Sequence, residues 1–525
     1  MVLEAFLHNL HFDNEKITPP DWEVDWDDAP LAYKLYRGLP VVPLSLEVPL
    51  TLDGRGIPAK PDLRTIGHFL WYTFGLTQVS QLVPPLDSTE NTVDFVQSYR
   101  RFVPSGGALY PNELYVYLKL EDLPAGVYHY DVAHHSLVLL REGNFDSYIA
   151  RALGHRYDED TCFGTVFVST MFWKNFYKYN NFAYRLQGLD AGVVIGQLLE
   201  VAKSFGFASG VFFQFLDRAI NHLLGLSEQE ESVYAVIPLS VEPTNWSNNR
   251  SDVAGIVSAD ELCRELTSLP YNHYQRSQKV AECPFLTMMN EASMLESTQS
   301  FRKIEVKKNL NCDGQAQVLP RMKRMSYDLA AVCRERYSPE MDFVLGKVSQ
   351  SQLANLLQET IASFSYRNDL DVAHSKQESR VSLYVCLYNV EGIQDGAYYY
   401  DSAAHVLRQV DLGDHRLELQ KGLVGFNVNL HQVPLCLNVA GDSDHLIPAL
   451  GYRGYRIQQM EAGMLTQRLL LSATAIGMGG HPLLGFNAKM SDEIFKIDTH
   501  GKTSLIQIPI GPYRQRPWMK GSLHS

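Results

Sequence analysis

The segment RFVPSGGALYPNELYVYL, residues 101–118, carries the sharpest local signal for chemistry in the chain. Pro104 fixes its own φ angle, Gly106 and Gly107 let the backbone approach a ligand closely, and Ser105 adds a hydroxyl group. Backbone N–H groups in such a turn can face a phosphate or a planar polar ring. Spacing alone does not separate a ligand-binding loop from an ordinary turn before a strand.

Two further groups of side chains have the chemistry that a proton transfer or an anionic ligand would need. Lys178 and Tyr179 stand together in the polar stretch WKNFYKYNN, and a lysine that loses part of its hydration can act as a base near neutral pH. VCRERYS contains Arg334, Arg336 and Ser338, and guanidinium groups bind phosphate well because they stay charged and are bidentate. Taken alone, Lys178 fits a solvated surface position better, and the arginines fit either role.

An internal repeat organises the elements that must position these residues. GVYHYDVAHHSL, residues 126–137, recurs as GAYYYDSAAHVL, residues 396–407. YRLQGLDAGVVIGQLLEVAKSFG, residues 184–206, recurs as YRIQQMEAGMLTQRLLLSATAIG, residues 455–477, at nearly the same offset. Two copies of one unit, each with an apolar helix face to cover, predict a pseudo-dimer within a single chain.

Each copy has the pattern of an α+β unit. In the first copy, LYVYLKL, HSLVLL and TVFVST are rich in aromatic and β-branched residues and are bounded by turn signals, which is typical of strands. Apolar residues at helical spacing predict a helix over 189–205 and its repeat over 460–476, with Asp190 and Glu461 at the positive ends of the helix dipoles. The predicted divisions are an acidic arm (1–30), a first domain (31–275), a linker or insertion (276–325) and a diverged second domain (326–525).

The composition excludes several classes of protein. The formal net charge of −13 is spread along 525 residues, whereas nucleic-acid binding needs a basic face. The seven cysteines show no CxxC or Cys/His spacing, so neither a metal site nor a disulfide framework is predicted. No stretch approaches the roughly 20 apolar residues of a membrane span. We therefore expect an acidic enzyme of a reducing cytoplasm, with no nucleic-acid or membrane partner.

Three motifs in order, PSGGALYPNE, GVYHYD and KYNNFAYRLQGLDAG, resemble the signature series of the SagB/ThcOx-type dehydrogenases. This family has the nitroreductase fold and includes the oxidases of streptolysin S, microcin and cyanobactin maturation. The resemblance covers the first copy over about residues 33–239, and the second copy resembles the same fold more distantly. It implies tandem nitroreductase-like α+β domains, FMN held noncovalently between them, and a heterocyclised precursor peptide whose thiazolines or oxazolines become thiazoles or oxazoles.

The resemblance also implies roles for individual residues. Lys178 and Tyr179 match the family's catalytic pair, in which a base removes a ring proton while a hydride passes to the flavin. In the second copy, VCRERYS stands where nitroreductases carry their phosphate motif. The implied cofactor contacts are Arg101, Pro104, Ser105, Gly106, Gly107, Gln187 and Gly188 in the first copy, and Arg334, Arg336, Ser338 and Arg514 in the second.

The second copy departs from the family pattern at the catalytic position. When the Tyr-Arg pairs 184–185 and 455–456 are aligned, Lys178 and Tyr179 face Ala449 and Leu450, neither of which can act as a base. Its equivalent of the PSGG turn, near residues 374–377, has lost the proline and both glycines. We therefore expect the second copy not to catalyse by this route.

These differences predict a composite site, in which the second copy holds the FMN phosphate and the first copy covers the ring with residues 104–107. The simple nitroreductase arrangement predicts otherwise, since it would separate the second copy's cations from Lys178 and Tyr179. In that arrangement the first copy would bind a phosphate through Lys34, Arg37 or Arg101. The sequence leaves both arrangements open.

Two other functions also remain open at this stage. One is a nitroreductase-fold flavoprotein that reduces nitro compounds or quinones with NAD(P)H. The other is a flavin-free scaffold that binds a peptide in the former cleft, an idea that the divergence of the second copy supports. The Lys178–Tyr179 pair and the PSGGALYP context favour the dehydrogenase, acting beside a cyclodehydratase as a monomeric pseudo-dimer.

Overall fold

The computed structural model describes residues 2–54, 60–82, 96–242, 255–269, 272–305, 314–372, 379–515 and 519–522. The helices in these ranges are α1 (Val2–Phe12), α2 (Leu63–Phe74), α3 (Asp146–Ala152), α4 (Trp173–Tyr179), α5 (Ala183–Ser204), α6 (Asp217–Leu224), α7 (Ala259–Cys263), α8 (Pro284–Ser293), α9 (Leu329–Glu335), α10 (Gln350–Ser363), α11 (Arg416–Lys421), α12 (Ile447–Leu450), α13 (Arg453–Ala475) and α14 (Ala488–Phe495). None of them combines the length and apolar character that a membrane span requires.

The first domain is built on a seven-stranded antiparallel sheet. Its strands lie in the order β1 (Val41–Pro43), β6 (Ser136–Glu142), β5 (Leu123–Asp131), β4 (Asn112–Leu120), β7 (Cys162–Met171), β9 (Glu231–Ser240) and β8 (Ala208–Ser209). The three predicted strand segments are confirmed, since LYVYLKL lies in β4, HSLVLL forms most of β6 and TVFVST lies in β7. Strands β4, β7 and β9 are buried along most of their length, which explains why their sequences are so apolar.

The second domain repeats this sheet strand for strand. Its order is β10 (Ala316–Val318), β13 (Val406–Leu412), β12 (Gly396–Asp401), β11 (Ser382–Leu387), β14 (Leu435–Asp442), β16 (Lys502–Gly511) and β15 (Gly479–Gly480). The repeated motifs GVYHYD and GAYYYD occupy the equivalent strands β5 and β12, so the internal repeat is confirmed. β10 lies inside the segment predicted as a linker. A third sheet pairs β2 (Leu76–Leu82) with β3 (Val96–Arg101) and with the C-terminal β17 (Met519–Ser522), so the chain end returns to the first domain.

The long helices α5 and α13 pack against each other and join the two domains, as the pseudo-dimer hypothesis predicts. They approach most closely at two glycines. A Cβ atom on Gly192 would lie 2.0 Å from the carbonyl oxygen of Met460, and one on Gly463 would lie 2.2 Å from that of Leu189. Any larger residue at either position would force the helices apart.

The repeated Tyr-Arg pairs also cross this junction. The rings of Tyr184 and Tyr455 stack, with their centroids 5.9 Å apart. Arg185 of α5 donates to the carbonyl of Leu505 in the second domain at 2.8 Å, and Arg456 of α13 lies 3.4 Å from Asp217 in the first. Each domain therefore satisfies a buried arginine of the other, which fixes their relative placement.

The predicted starts of these two helices are wrong. α5 begins six residues before 189 and α13 begins seven residues before 460, because neither 183–188 nor 453–459 contains a proline to stop the helix. Asp190 and Glu461 consequently lie in the helix interior rather than at the positive ends of the dipoles. Their carboxylates serve other contacts, described below.

Candidate active site between the domains

A cavity of about 870 Å³ lies between the two domains, and we call it the interdomain cavity. Small-molecule sites usually fall between roughly 300 and 1,000 Å³, so its size suits a cofactor together with a substrate group. The first domain contributes 98–100, 104–108, Tyr110, 178–179, Phe182, Leu186, 189–190 and Val193, the N-terminal segment adds Asn14 and Thr18, and the second domain contributes 336–338, Glu340, 424–425, Asn427 and 481–485.

A single buried carboxylate holds the turn at 104–107 in the wall of this cavity. Asp190 accepts a hydrogen bond of 2.6 Å from the Ser105 hydroxyl and a longer one, 3.3 Å, from the Gly106 N–H. Ser105 Oγ in turn accepts from the backbone N–H of Tyr110 at 2.9 Å. Gly107 has a φ of 63°, in the left-handed region that a glycine reaches without strain. The sequence PSGG therefore forms this turn because α5 supplies its acceptor.

The environment of Asp190 changes its acidity. Burial raises the pKa of Asp190 to about 7, although the hydrogen bonds from Ser105 and Gly106 act to lower it. The carboxyl group therefore gains or loses its proton near neutral pH. Its protonation state bears directly on the turn, because an ionised carboxylate can only accept hydrogen bonds.

Lys178 and Tyr179 lie at the C-terminal end of α4 and face the same turn. A Cβ atom on Gly107 would lie 2.6 Å from Tyr179 Oη and 3.0 Å from Lys178 Nζ, so both polar atoms meet above this glycine. Burial lowers the pKa of Lys178 and raises that of Tyr179 to about 12, with Asp190 adding to the second shift. Lys178 Nζ also lies 5.2 Å from the ring centroid of Trp26.

The second domain brings Arg336 and Ser338 to this cavity. Arg336 is buried and donates through Nε to the carbonyl of Phe102 at 2.6 Å and through Nη1 to Ser338 Oγ at 3.1 Å. Arg100 of β3 lines the cavity beside them, with its guanidinium 5.1 Å from the Tyr337 ring centroid. Burial, and then the charge of Arg100, lower the pKa of Arg336 to about 10, which leaves it charged at neutral pH. The predicted phosphate cation Arg336 and the predicted catalytic pair thus share one cavity.

The sequence profile of the nitroreductase family matches residues 61–239 and 334–511, one stretch in each domain and together more than half of the chain. The chain belongs to the nitroreductase family. Members of this family are oxidoreductases that generally bind FMN. Both matched stretches contribute walls to the interdomain cavity, so the family match and the site coincide.

Comparison with known proteins shows the same fold. A crystal structure of a "putative nitroreductase" from Anabaena variabilis covers 98% of this chain and 99% of that chain, with a TM-score of 0.74 and 21% sequence identity. A "putative nitroreductase" of Methanocaldococcus jannaschii is 26% identical over 132 residues, 25% of this chain, and this chain spans 64% of that relative's length. The E. coli microcin synthetase McbBCD matches 36% of this chain and 70% of that chain at 22% identity, but its TM-score of 0.27 adds no argument about activity.

Several residues predicted to contact the cofactor do not line the cavity of this nitroreductase. Arg101 is buried and donates to the carbonyls of Phe74 and Ala32, at 3.1 and 2.7 Å. Gln187, which does not line the cavity, donates to Asn175 Oδ1 at 2.7 Å. These side chains satisfy buried backbone and amide groups of the first domain, a role that their motif does not reveal.

Three more predicted contacts also lie outside the cavity wall. Gly188 packs against α13, where an added Cβ would lie 2.9 Å from Gln459 Cβ. Arg334 lies in the last turn of α9, 3.4 Å from the Tyr72 hydroxyl, whereas Arg336 follows the helix end and points elsewhere. Arg514 is exposed. The equivalent of PSGG at 374–377 lies outside the described residues.

The loop 482–485 lines the cavity, and the sequence predictions missed it. Among the described residues, the backbone N–H groups of Leu484 and Gly485 donate no hydrogen bond, so both are available to a ligand. The repeat offered a signal, because this loop follows Gly477 as the segment 211–214 follows Gly206. A ligand-binding turn of this kind has no side-chain signature, since its donors belong to the backbone.

Proposed function

We propose that this nitroreductase is an FMN-dependent dehydrogenase that oxidises thiazolines or oxazolines of a heterocyclised peptide to thiazoles or oxazoles. The observation that carries the proposal is the meeting of Lys178 Nζ and Tyr179 Oη above Gly107, in a cavity that also holds Arg336 and Ser338. Azoline oxidation needs a base near a bound oxidant, and this arrangement provides a base beside a site for an anionic cofactor.

The residues around the interdomain cavity fit FMN. Arg336, Arg100 and Ser338 would hold its phosphate, because two guanidinium groups and a hydroxyl offer several charge-assisted donors. The turn at 104–107 would cover a face of its ring. The N–H groups of Leu484 and Gly485, which donate to no acceptor among the described residues, would be available to its polar atoms.

The first domain supports this use of the 484–485 backbone. Counted from the equivalent glycines Gly206 and Gly477, Phe213 and Gln214 correspond to Leu484 and Gly485. The N–H groups of Phe213 and Gln214 donate to the carboxylate of Asp369, at 2.8 and 3.1 Å. The same turn in the other domain therefore already binds an oxygen acceptor, supplied there by the chain itself.

Bound in this cavity, FMN would accept the two electrons and one hydrogen that leave the azoline ring as a hydride. Lys178 would take the other ring hydrogen as a proton, since burial lowers the pKa of its amine and favours the neutral form. Tyr179 would remain protonated, because its pKa is raised to about 12, and would donate a hydrogen bond to the substrate. Formation of the aromatic ring supplies the driving force.

The proposed reaction requires a peptide partner and an enzyme that prepares it. Azolines form when a cysteine, serine or threonine side chain of a peptide cyclises onto the preceding carbonyl with loss of water. A cyclodehydratase must therefore act first, and a complex with it would pass the peptide on directly. A second candidate function is the reduction of a nitro compound, which the printed name of the M. jannaschii relative favours. NAD(P)H would then supply the electrons.

The test uses purified full-length chain loaded with FMN. Under air, a synthetic peptide that carries one thiazoline should develop the absorbance of a thiazole, and its mass should fall by that of two hydrogen atoms. Rapid NAD(P)H-dependent reduction of a nitroarene, with no thiazole formed, would replace the proposal with the reductase. A colourless chain that cannot be reconstituted with FMN would favour a flavin-free scaffold.

A further inference from the structure

A second cavity, of about 440 Å³, lies in the first domain at the opposite end of α4 from Lys178, and we call it the arm cavity. Pro30 and Leu31 of the N-terminal segment, Trp173 of α4 and Val280 all line it. Most of its wall comes from residues 30–34 and 273–287, which lie outside the stretches that the nitroreductase profile matches. The cavity is thus built mainly by segments outside the matched stretches.

The arm cavity suits a neutral and apolar group. The amines at its floor are neutralised, since Lys34 pairs with Glu231 at 2.6 Å and Lys174 pairs with Glu113. Burial, and then the charge of Lys34, lower the pKa of His273 to about 4, so this ring is uncharged at neutral pH. Three exposed charged residues, Glu230, Arg276 and Glu282, also line the cavity. The rest of its wall is mainly apolar, and burial of a hydrocarbon side chain there would be favourable.

The arm cavity and the interdomain cavity are one short helix apart. α4 has seven residues, and Trp173 at its first position lines one cavity while Tyr179 at its last position lines the other. With a rise of about 1.5 Å per residue, the two ends are roughly 10 Å apart, a distance that about three residues of extended peptide would cover. Trp26 lies between them, 60% exposed, and packs edge-on against Tyr177.

We propose that the arm cavity is a specificity site that binds an apolar or aromatic side chain of the peptide substrate, two to four residues along the chain from the ring that is oxidised. This proposal rests on the proposed function, because it takes Lys178 as the position of the ring. It gives a role to the segments outside the matched stretches, which form a largely apolar cavity beside α4. Trp26 then supports the backbone between the two sites.

The test is a peptide series offered to the FMN-loaded full-length chain. Each peptide carries one thiazoline and glycine at every flanking position except one phenylalanine, placed one to five residues away on either side. A phenylalanine at one position, two to four residues from the ring, should lower KM at least tenfold, because the free energy gained on burying its side chain is large enough for such a change in binding. Val280→Asp should remove this preference. The KM for the all-glycine peptide and the flavin content should not change. Val318→Asp, at an exposed valine of the second domain, is the matched control.

Binding of the corresponding thiazole peptides, labelled with a dye and followed by anisotropy, separates this proposal from the proposed reaction. If thiazolines are oxidised but no position favours phenylalanine, or Val280→Asp changes nothing, the arm cavity is not a specificity site. A third outcome is that no thiazoline is oxidised, yet the wild-type chain binds one phenylalanine peptide more tightly than the others and Val280→Asp does not. The proposed reaction would then be wrong, and the specificity site would be supported. Equal effects of Val280→Asp and Val318→Asp would also overturn the site.

Discussion

The two domains form two equivalent sites between them. We call the one that is left available to a ligand the open place, and the one that is occupied by the chain's own residues the filled place. At the open place, Asp190 holds the Ser105–Gly106 turn. In the part of the chain that the structure describes, the N–H groups of Leu484 and Gly485 there donate no hydrogen bond. At the filled place, the equivalent Phe213–Gln214 loop binds Asp369, whose carboxylate also pairs with Arg156 at 2.8 Å.

The carboxylates at the equivalent positions of α5 and α13 differ in the same sense. Asp190 accepts only from a hydroxyl and an N–H group, so its charge has no cationic partner among the contacts described above. Glu461 is bound by Arg380, with Nε contacts of 2.9 and 3.0 Å, and by the Tyr366 hydroxyl. The second place thus satisfies its buried groups with the chain's own residues and leaves no comparable need for a ligand.

This difference teaches how a two-site dimer can become a one-site chain. In a symmetric dimer, any residue that improves one site appears in both. A tandem chain is free of that constraint. In the repeat alignment, the second copy has Ala449 and Leu450 at the positions of Lys178 and Tyr179. Asp369 occupies the position where a ligand of the second site would bind. The second domain supplies Arg336, Ser338 and the 482–485 loop to the interdomain cavity.

The largest expected effect is at the base. Lys178→Met should lower kcat for azole formation by about 10²–10⁴-fold, the usual contribution of a positioned general base, while FMN remains bound. Absorbance of the flavin and of the thiazole product would report both quantities. Lys60→Met, at a 78% exposed lysine in the first domain, should leave both unchanged. An unaltered kcat in the first variant would remove Lys178 from the mechanism.

The next effect concerns Arg336, the cation of the open place that we propose holds the FMN phosphate. Arg336→Met should raise the Kd for FMN by about tenfold to a hundredfold, because a hydrogen bond to a charged group is worth roughly 1.5–3 kcal/mol. Arg156→Met removes a buried arginine from the filled place instead, and should lower the free energy of unfolding without changing the Kd. Flavin titration by fluorescence quenching and urea unfolding give the two values. Equal losses of FMN affinity would show that the two places are not distinct.

A third difference should appear in the pH dependence of stability. The pKa of Asp190 is raised to about 7, so its stabilising contribution is full below its unfolded pKa and is lost as pH rises through about 7. The free energy of unfolding should therefore fall by about 2 kcal/mol more in the wild type than in Asp190→Asn between pH 5 and 8. Urea unfolding of the flavin-free chain measures this. Parallel curves for the two proteins would mean that Asp190 does not titrate in this range.

Glu461→Gln provides the counterpart at the filled place. Arg380 would lose its principal acceptor but would keep Asp371, so the free energy of unfolding should drop by about 2 kcal/mol. This loss should be similar from pH 5 to 8, and FMN affinity should not change. A drop in FMN affinity as large as that of Arg336→Met would contradict the assignment of Glu461 to the filled place.

The smallest effect is a displaced pH profile. Burial lowers the pKa of Lys178, so kcat/KM should rise with pH and level off below the ordinary lysine pKa of about 10.4. Steady-state rates between pH 6 and 10 would locate the inflection. A profile that falls over this range would argue for a protonated lysine as the active form.

The sequence predicted those parts of the molecule that depend on local pattern and on repetition. GVYHYD and GAYYYD marked equivalent strands, and the alignment of Tyr184 with Tyr455 pointed to the pseudo-dimer. A motif resemblance marked Lys178, Tyr179 and the PSGG turn as site residues, but the sequence left open whether they share one site, and their catalytic roles stay predictions. The sequence did not predict the contacts that depend on long-range packing.

The residues that the sequence misplaced show the physical reason. Arg334 and Arg336 are two positions apart, yet α9 ends between them, so only Arg336 reaches the cavity. Gln187 and Gly188 share a motif with Asp190, but a helix directs neighbouring residues to different sides. Backbone donors such as Gly485 N–H leave no trace in residue type. Asp369 accepts a hydrogen bond from the backbone N–H of Gln214, which is 155 residues away in the sequence, and no local pattern predicts such a contact.

The most direct test of the comparison is the amount of FMN bound per polypeptide, measured by releasing the flavin from the saturated, purified chain and quantifying both. The account predicts one FMN for each polypeptide, because among the described residues the donors and cations of the filled place are already paired within the chain. Two FMN molecules per polypeptide would show that Asp369 does not exclude a ligand from the second place, and an inability to bind any FMN would contradict the assignment of the interdomain cavity as a flavin site.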